Sequence, residues 1–233
     1  MAKPSINLYY GPHIRIGRST QEIMWTVNLS LAPALLWAIF VFGLKPLLIT
    51  LASVIGGIAA EHMVCLLRKR RTTIADGSAA CTGILLAFTL PPGLSPWIAG
   101  LGAFLAIILT KGLFGGLGYN IFNPALIGRA ILMASFPVAV TTLWLTPKLG
   151  NFLSFDATTT ATPLAILKER GLDAAIASFQ KLPDQWDYIL RMLVGLRPGS
   201  IGEISTVFVL LGAGFLFYKR IIKLAIPLSV IAG

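Results

Sequence analysis

Long apolar stretches, separated by short polar or basic junctions, run through most of this chain. The first is Met24–Gly43, 20 residues, which as a helix would reach about 30 Å, the thickness of a bilayer's hydrocarbon core. Asn28 and Pro33 interrupt it, a feature that a packed bundle tolerates. The second, Leu47–Leu67, carries the small pair Gly56-Gly57, which permits close helix contact. Glu61 and His62 lie about two turns before its end. The third run, Ala79–Leu90, has only 12 residues and stops at Pro91-Pro92. It reads either as a half-helix followed by irregular backbone buried in protein, or as a recessed span lengthened by its polar start at Asp76-Gly-Ser78.

The fourth run is Pro96–Thr110, returning to the membrane surface near Lys111. The fifth is Pro124–Val140, with Arg129 inside it, placed either to snorkel to the surface or to pair internally. After a long polar segment comes a sixth, Ile201–Tyr218. Ile221–Gly233 starts a seventh, too short to cross at 13 residues, so the chain is expected to continue past Gly233. The pattern predicts an all-α polytopic membrane protein: a helical bundle with a short or broken third helix and one large extracytoplasmic loop. Its divisions are a cytoplasmic leader (1–23), a five-span bundle (24–140), the loop (141–200) and further spans (201–233).

Composition agrees. Hydrophobic residues make up 56% of the 233 and charged residues 12%, against about 25% charged in soluble domains. The net charge of +10 is no nucleic-acid footprint, because the basic residues cluster between apolar spans. Arg68-Lys69-Arg70-Arg71 is the strongest orientation signal and puts that loop in the cytoplasm. The N-terminus is then cytoplasmic too, since two spans intervene, and 141–200 lies outside by span parity. Residues 1–23 hold no apolar core of the kind a signal peptide needs. Cys65 and Cys81 have no metal-ligand spacing and read as small apolar packing residues. His13 and His62 are isolated, and no catalytic constellation is visible. Glu61 is either a ligand on an ion path or a partner of the nearby arginines.

Two stretches carry candidate chemistry. Gly112–Pro124 is rich in glycine and aromatics, and its glycines would let backbone approach a flat ligand. It matches neither phosphate-binding glycine pattern. Asn120 and Asn123 each offer two donors and an acceptor, which suits the imide edge of an isoalloxazine ring. Capping of a helix that starts at Pro124 accounts for Asn123 equally. The other stretch is Asp156-Ala-Thr-Thr-Thr-Ala-Thr162-Pro-Leu164, in the one long polar segment. Its hydroxyls either cap turns or bear a modification. Helical spacing over Pro163–Leu182 would put Thr162 at a helix N-terminus, where free N–H groups favour a phosphate.

These residues carry a resemblance. Asp156 to Thr162 is similar to the flavinylation motif of a family that includes the D subunits of Rnf complexes and the B subunits of sodium-pumping NADH:quinone reductases. Thr160 stands where that family usually has glycine. Asp76-Gly-Ser78, the Leu90-Pro-Pro ending and the leader Gly11-Pro-His-Ile-Arg15 resemble the family as well, and the leader favours the Rnf side. The resemblance implies FMN joined by a phosphoester to Thr162, and a non-covalent riboflavin at Asn120 and Asn123. It implies further helices forming a second repeat, a place in the bacterial cytoplasmic (inner) membrane, and a flavin transferase for maturation.

Flavins on opposite faces, about 30 Å apart, would need an intervening redox group, which the family supplies as an iron–sulfur centre on partner subunits. The implied function is a flavin-carrying electron-transfer subunit that couples ferredoxin:NAD+ exchange to Na+ or H+ translocation. The other Rnf subunits, including iron–sulfur and flavin carriers, would be its partners. A quinone-reductase B subunit and a cofactor-free channel or transporter are the alternatives.

Overall fold

The structure is a computed structural model, and it describes residues 18–69, 72–147, 186, 193–196 and 198–232. Among these residues it holds eight α-helices and no strand, so the chain is an all-α membrane protein. Most of the 1–23 leader and most of the 141–200 loop, Thr162 included, lie outside the described residues.

Helix α1 (Thr20–Phe42) begins where the Ser19 hydroxyl accepts the Glu22 N–H at 3.1 Å. It ends at Gly43, whose φ of 76° is cheap only for glycine. Helix α2 (Lys45–Leu67) comes at once, with Pro46 in its first turn. Both have 23 residues, about 34 Å, and are long and apolar enough to cross a membrane. Their outer faces leave Leu36 66% and Ile55 65% exposed, and Leu210 further along is 64% exposed. Such a surface suits lipid rather than water.

The third helix is short, as the proline pair implies: α3 spans Ser78–Phe88, entered through a 3-10 turn at Ile74–Asp76. Thr89–Ser95 is then irregular, and Leu90, Pro91, Pro92 and Leu94 in it are buried. Of the two readings of this run, the structure takes the half-helix. Backbone buried in this way needs partners. Ile201 N–H donates to the Leu90 carbonyl at 3.1 Å, Gly202 N–H to that of Phe88 at 2.9 Å, and Gly93 N–H to that of Leu143 at 3.1 Å. Residues 201–205 are therefore spent closing the α3 end. The apolar run expected to span from Ile201 becomes helical only as α7 (Thr206–Tyr218).

Helix α4 (Pro96–Ile107) continues as a π-turn over Ile108–Gly112. The expected fifth span is broken in two, α5 (Pro124–Ser135) and α6 (Pro137–Thr142). Pro137 lacks an N–H and forces Phe136 out of helical geometry, to φ −131° and ψ 55°. Helix α8 covers Ala225–Ala232. Helix α2 packs mainly on α4 and α3, and α1 on α7. The α2–α4 crossing is backbone to backbone: a Cβ at Gly56 would lie 2.2 Å from the Gly100 carbonyl oxygen. The Gly56-Gly57 pair thus does what the sequence suggested.

Candidate functional site

Three elements converge on one buried polar cluster. Helix α2 supplies Glu61, 2% exposed, one turn before Cys65. The 3-10 turn and the start of α3 supply Thr73, Asp76 and Ser78. The π-turn supplies Lys111, 8% exposed. A π-turn inserts one residue, which rotates the rest of the helix by roughly 100°. That register brings the lysine inward instead of leaving it at the membrane surface, where the sequence placed it.

Lys111 Nζ donates to Glu61 Oε1 and to the Ser78 hydroxyl, and lies 3.9 Å from Asp76 Oδ2. The Thr73 hydroxyl donates to the same Glu61 oxygen. Asp76 Oδ1 accepts from the Ser78 N–H at 2.8 Å and from its hydroxyl at 2.6 Å. Since Gly77 at the α3 start has no side chain, Asp76 does the capping, and its charge complements the helix dipole. Glu61 Oε2 is buried with no hydrogen-bond partner among the described residues. A cavity of about 80 Å³ opens beside the cluster, lined by Glu61, Cys65, Arg68, Thr73, Lys111 and Gly112.

Glu61 was read as an ion-path ligand or as a partner of the basic loop. Its partner is Lys111. Arg68 instead donates to the Leu113 carbonyl at 3.2 Å, and Arg70 and Arg71 lie outside the described residues. Sequence reasoning missed Lys111 because a lysine after fifteen apolar residues looks like a flank. The available signal was Asp76-Gly-Ser78, a polar trio at the head of an apolar helix that needs a buried cation opposite it.

Asn120 and Asn123 sit together in the exposed segment between α4 and α5. Asn123 Oδ1 accepts from the Ala125 N–H at 3.0 Å, the capping role weighed from the sequence. Asn120 accepts from the Gly118 N–H at 3.3 Å and donates to the Phe122 carbonyl at 3.0 Å. Gly115, Gly116 and Gly118 have positive φ and open space where a side chain would stand, and Tyr119 and Ile121 beside them are exposed. The segment is open, and it carries exposed aromatic and apolar side chains.

Cys65 and Cys81 are buried free thiols. His62 is exposed, and Arg129 is half-buried with no ion pair among the described residues. Among those residues no group of three His, Cys, Asp or Glu could hold a metal.

Apolar helices with lipid-facing leucines outside and a carboxylate–ammonium cluster between them define an integral membrane protein with a buried charged site. The chain belongs to the NQR2, RnfD, RnfE family, whose profile matches residues 7–233. It is 44% identical over 220 residues to the D subunit of the proton-translocating ferredoxin:NAD(+) oxidoreductase complex of Clostridium ljungdahlii, covering 94% of this chain and 64% of that one. The D subunit of the Na(+)-translocating ferredoxin:NAD(+) oxidoreductase complex of Acetobacterium woodii is 40% identical over 229 residues, covering 97% and 67%. The D subunit of the ion-translocating oxidoreductase complex of Rhodobacter capsulatus is 37% identical over 239 residues, covering 95% and 66%. The chain therefore spans about two thirds of the length of these relatives.

Proposed function

We propose that this chain is a D-type subunit of an Rnf complex: a flavin-carrying membrane subunit of a translocase that couples ferredoxin:NAD+ electron exchange to Na+ or H+ movement. The observation that carries the reading is the match over nearly the whole chain to the D subunits of ferredoxin:NAD(+) oxidoreductase complexes. The Rnf reading takes precedence over the quinone-reductase one because these relatives are named for the former.

In this reading Thr162 carries FMN through its hydroxyl, and Asn120 with Asn123 holds riboflavin. When bound, these groups supply the electron-carrying chemistry that no side chain of this sequence can. The chain's own part is to hold them. The glycine-rich segment would admit the ring face, and the Asn123 amide would donate to the ring while its oxygen keeps α5 capped. The basic 68–71 loop lies in the cytoplasm of a bacterial inner-membrane protein, and 141–200 lies outside. Iron–sulfur and flavin carriers on other Rnf subunits, and a flavin transferase, are its partners. On this reading the chain divides into a leader (1–23), a bundle (24–140), a loop (141–200) and further spans (201–233), with α1 reaching back into the first at Thr20 and α6 forward into the third at Thr142.

The test is to express the protein with its flavin transferase, denature it in SDS, and look for flavin fluorescence on the gel band with peptide mass spectrometry across Phe152–Lys168. An FMN-sized adduct on Thr162, lost in Thr162→Ala, is the expected result. A dark band from transferase-containing cells would overturn the covalent assignment and return the channel alternative.

A further inference from the structure

We infer that the turn between α7 and α8 is a binding site for an anionic phospholipid. Lys219, Arg220 and Lys223 hold its phosphate, and its acyl chains lie along the exposed apolar faces of the two helices. The inference needs only a membrane protein, and it stands apart from the flavin and electron-transfer readings above.

Three features carry it. The first is charge. Lys219, Arg220 and Lys223 fall within one short turn, all three are exposed, and none has an ion pair among the described residues. The acid nearby is already engaged: Glu22 lies 3.7 Å from Arg18, whose guanidinium also donates to the Lys219 carbonyl. The α7 dipole, equivalent to about half a negative charge at this end, answers only part of three positive ones. Like charges this close in sequence call for a shared counterion.

The second is the backbone. Helix α7 ends in a Schellman motif, in which the Ile221 N–H donates to the Leu216 carbonyl at 3.0 Å and the Arg220 N–H to that of Phe217 at 2.8 Å. The left-handed position in this motif usually belongs to glycine. Here it is Arg220, at φ 52°. A side chain stands where the backbone would do better without one. What that residue brings is a guanidinium, whose paired N–H donors suit a phosphate.

The third is depth. Lys219 Nζ lies 5.9 Å from the centre of the Phe215 ring, one turn back along α7. The ammonium is drawn over the apolar part of the helix instead of reaching past its end. A soluble acidic partner would be met by cations that reach outward, whereas a lipid phosphate lies at the level of the helix end. Tyr218, Leu224 and Leu228 around the turn are exposed and offer apolar surface to the acyl chains. Ile221 and Ile222 are half-buried and anchor the turn between its cations. Each basic residue at an anionic membrane surface adds roughly fivefold to binding, and the three together about a hundredfold.

The test titrates phosphatidylglycerol against the full chain, purified in detergent with the subunits it holds, and reads bound lipid by native mass spectrometry. Phosphatidylcholine of the same chain length is the reference. Wild type is expected to hold one phosphatidylglycerol at concentrations where phosphatidylcholine does not bind. Arg220→Gly relieves the left-handed residue, so its melting temperature should equal or exceed that of wild type while the phosphatidylglycerol midpoint rises roughly fivefold. Adding Lys219→Gln and Lys223→Gln should abolish the preference. Inorganic phosphate at the lipid's concentration should leave the adduct in place.

A wild type without preference for phosphatidylglycerol overturns the inference, as does an unchanged midpoint in Arg220→Gly. Displacement by inorganic phosphate would reduce the turn to an anion pocket and overturn the lipid assignment. Variants that keep the lipid midpoint but lose a copurifying subunit would assign the turn to a protein partner instead. Should the triple variant not be recovered, Arg220→Gly decides alone, because its fold loses a strained residue and no packing.

Discussion

The crossing of α2 and α4 sets the geometry of the charged site, and Gly56→Ala tests it. The new Cβ would meet the Gly100 carbonyl oxygen at 2.2 Å and its carbonyl carbon at 2.8 Å. Ordinary contact begins near 3.4 Å. Both obstacles are backbone, so no side chain can swing aside, and the two helices must part by about 1 Å. Separation on that scale forfeits a quarter to a half of the dispersion energy along the seam. Overpacking of a tight core costs about 1–3 kcal/mol, and a backbone clash belongs at the upper end.

Gly214→Ala on α7 is the control, because nothing lies within 4 Å of its would-be Cβ. Both variants gain about 1 kcal/mol of helix propensity, so their difference isolates the clash. Thermal unfolding of the detergent-solubilised subunit is expected to place Gly56→Ala below Gly214→Ala by about 6–12 °C, at 2–4 °C per kcal/mol. Equal melting temperatures would refute the close-crossing argument.

Ser78→Ala removes a hydroxyl that accepts from Lys111 and donates to Asp76, and should lower stability by about 1–3 kcal/mol, read from the melting temperature. Asn123→Ala removes the α5 cap and should cost about 1 kcal/mol, whereas Asn123→Asp keeps the accepting oxygen and should not. If Asn123 also holds riboflavin through its amide N–H₂, both variants lose non-covalent flavin on extraction, and only the alanine loses stability. Cys65 and Cys81, being buried, should resist a membrane-permeant maleimide in the folded protein and react fully once it is denatured.

Hydropathy and proline placement made much of this fold legible. Helix α1 stops at Gly43 and α2 at Leu67 as expected, though α1 starts at Thr20 rather than Met24 and α2 at Lys45 rather than Leu47, and Pro91-Pro92 marked the short third helix. The fifth span was overrun because its residues stay apolar through Phe136, although Pro137 held the signal that a helix breaks there. Residues 201–205 were read as membrane span because Ile201 and Ile204 are apolar. They are buried under the end of α3 instead, a tertiary requirement that no local pattern contains. Glu61 stood out in the sequence by its charge. Its partner did not, because the burial of Lys111 depends on a π-turn at the end of α4, which no local pattern announces. The FMN assignment at Thr162 rests on its motif alone, since that residue lies outside the described ones.

Stability alone does not explain why charges are kept at this site. Taking a carboxylate and an ammonium out of water costs several kcal/mol each after relaxation, and apolar or neutral replacements of a buried pair are often neutral or stabilising. Ionisable groups within membrane spans are expensive for the same reason. Lys111→Met should cost about 3–5 kcal/mol, because it leaves the Glu61 carboxylate buried without its cation, and Glu61→Gln less, because Asp76 stays 3.9 Å from the ammonium. Together they remove both charges with little change in volume, and the double variant should unfold near the wild-type temperature. The cycle would then show a coupling of several kcal/mol with almost no net stabilisation from the pair itself. A double variant as unstable as the single ones would contradict this, and would mean that the pair exists to lock α2 against α4. Recovery of wild-type stability in the double variant would show that the pair is not kept for stability.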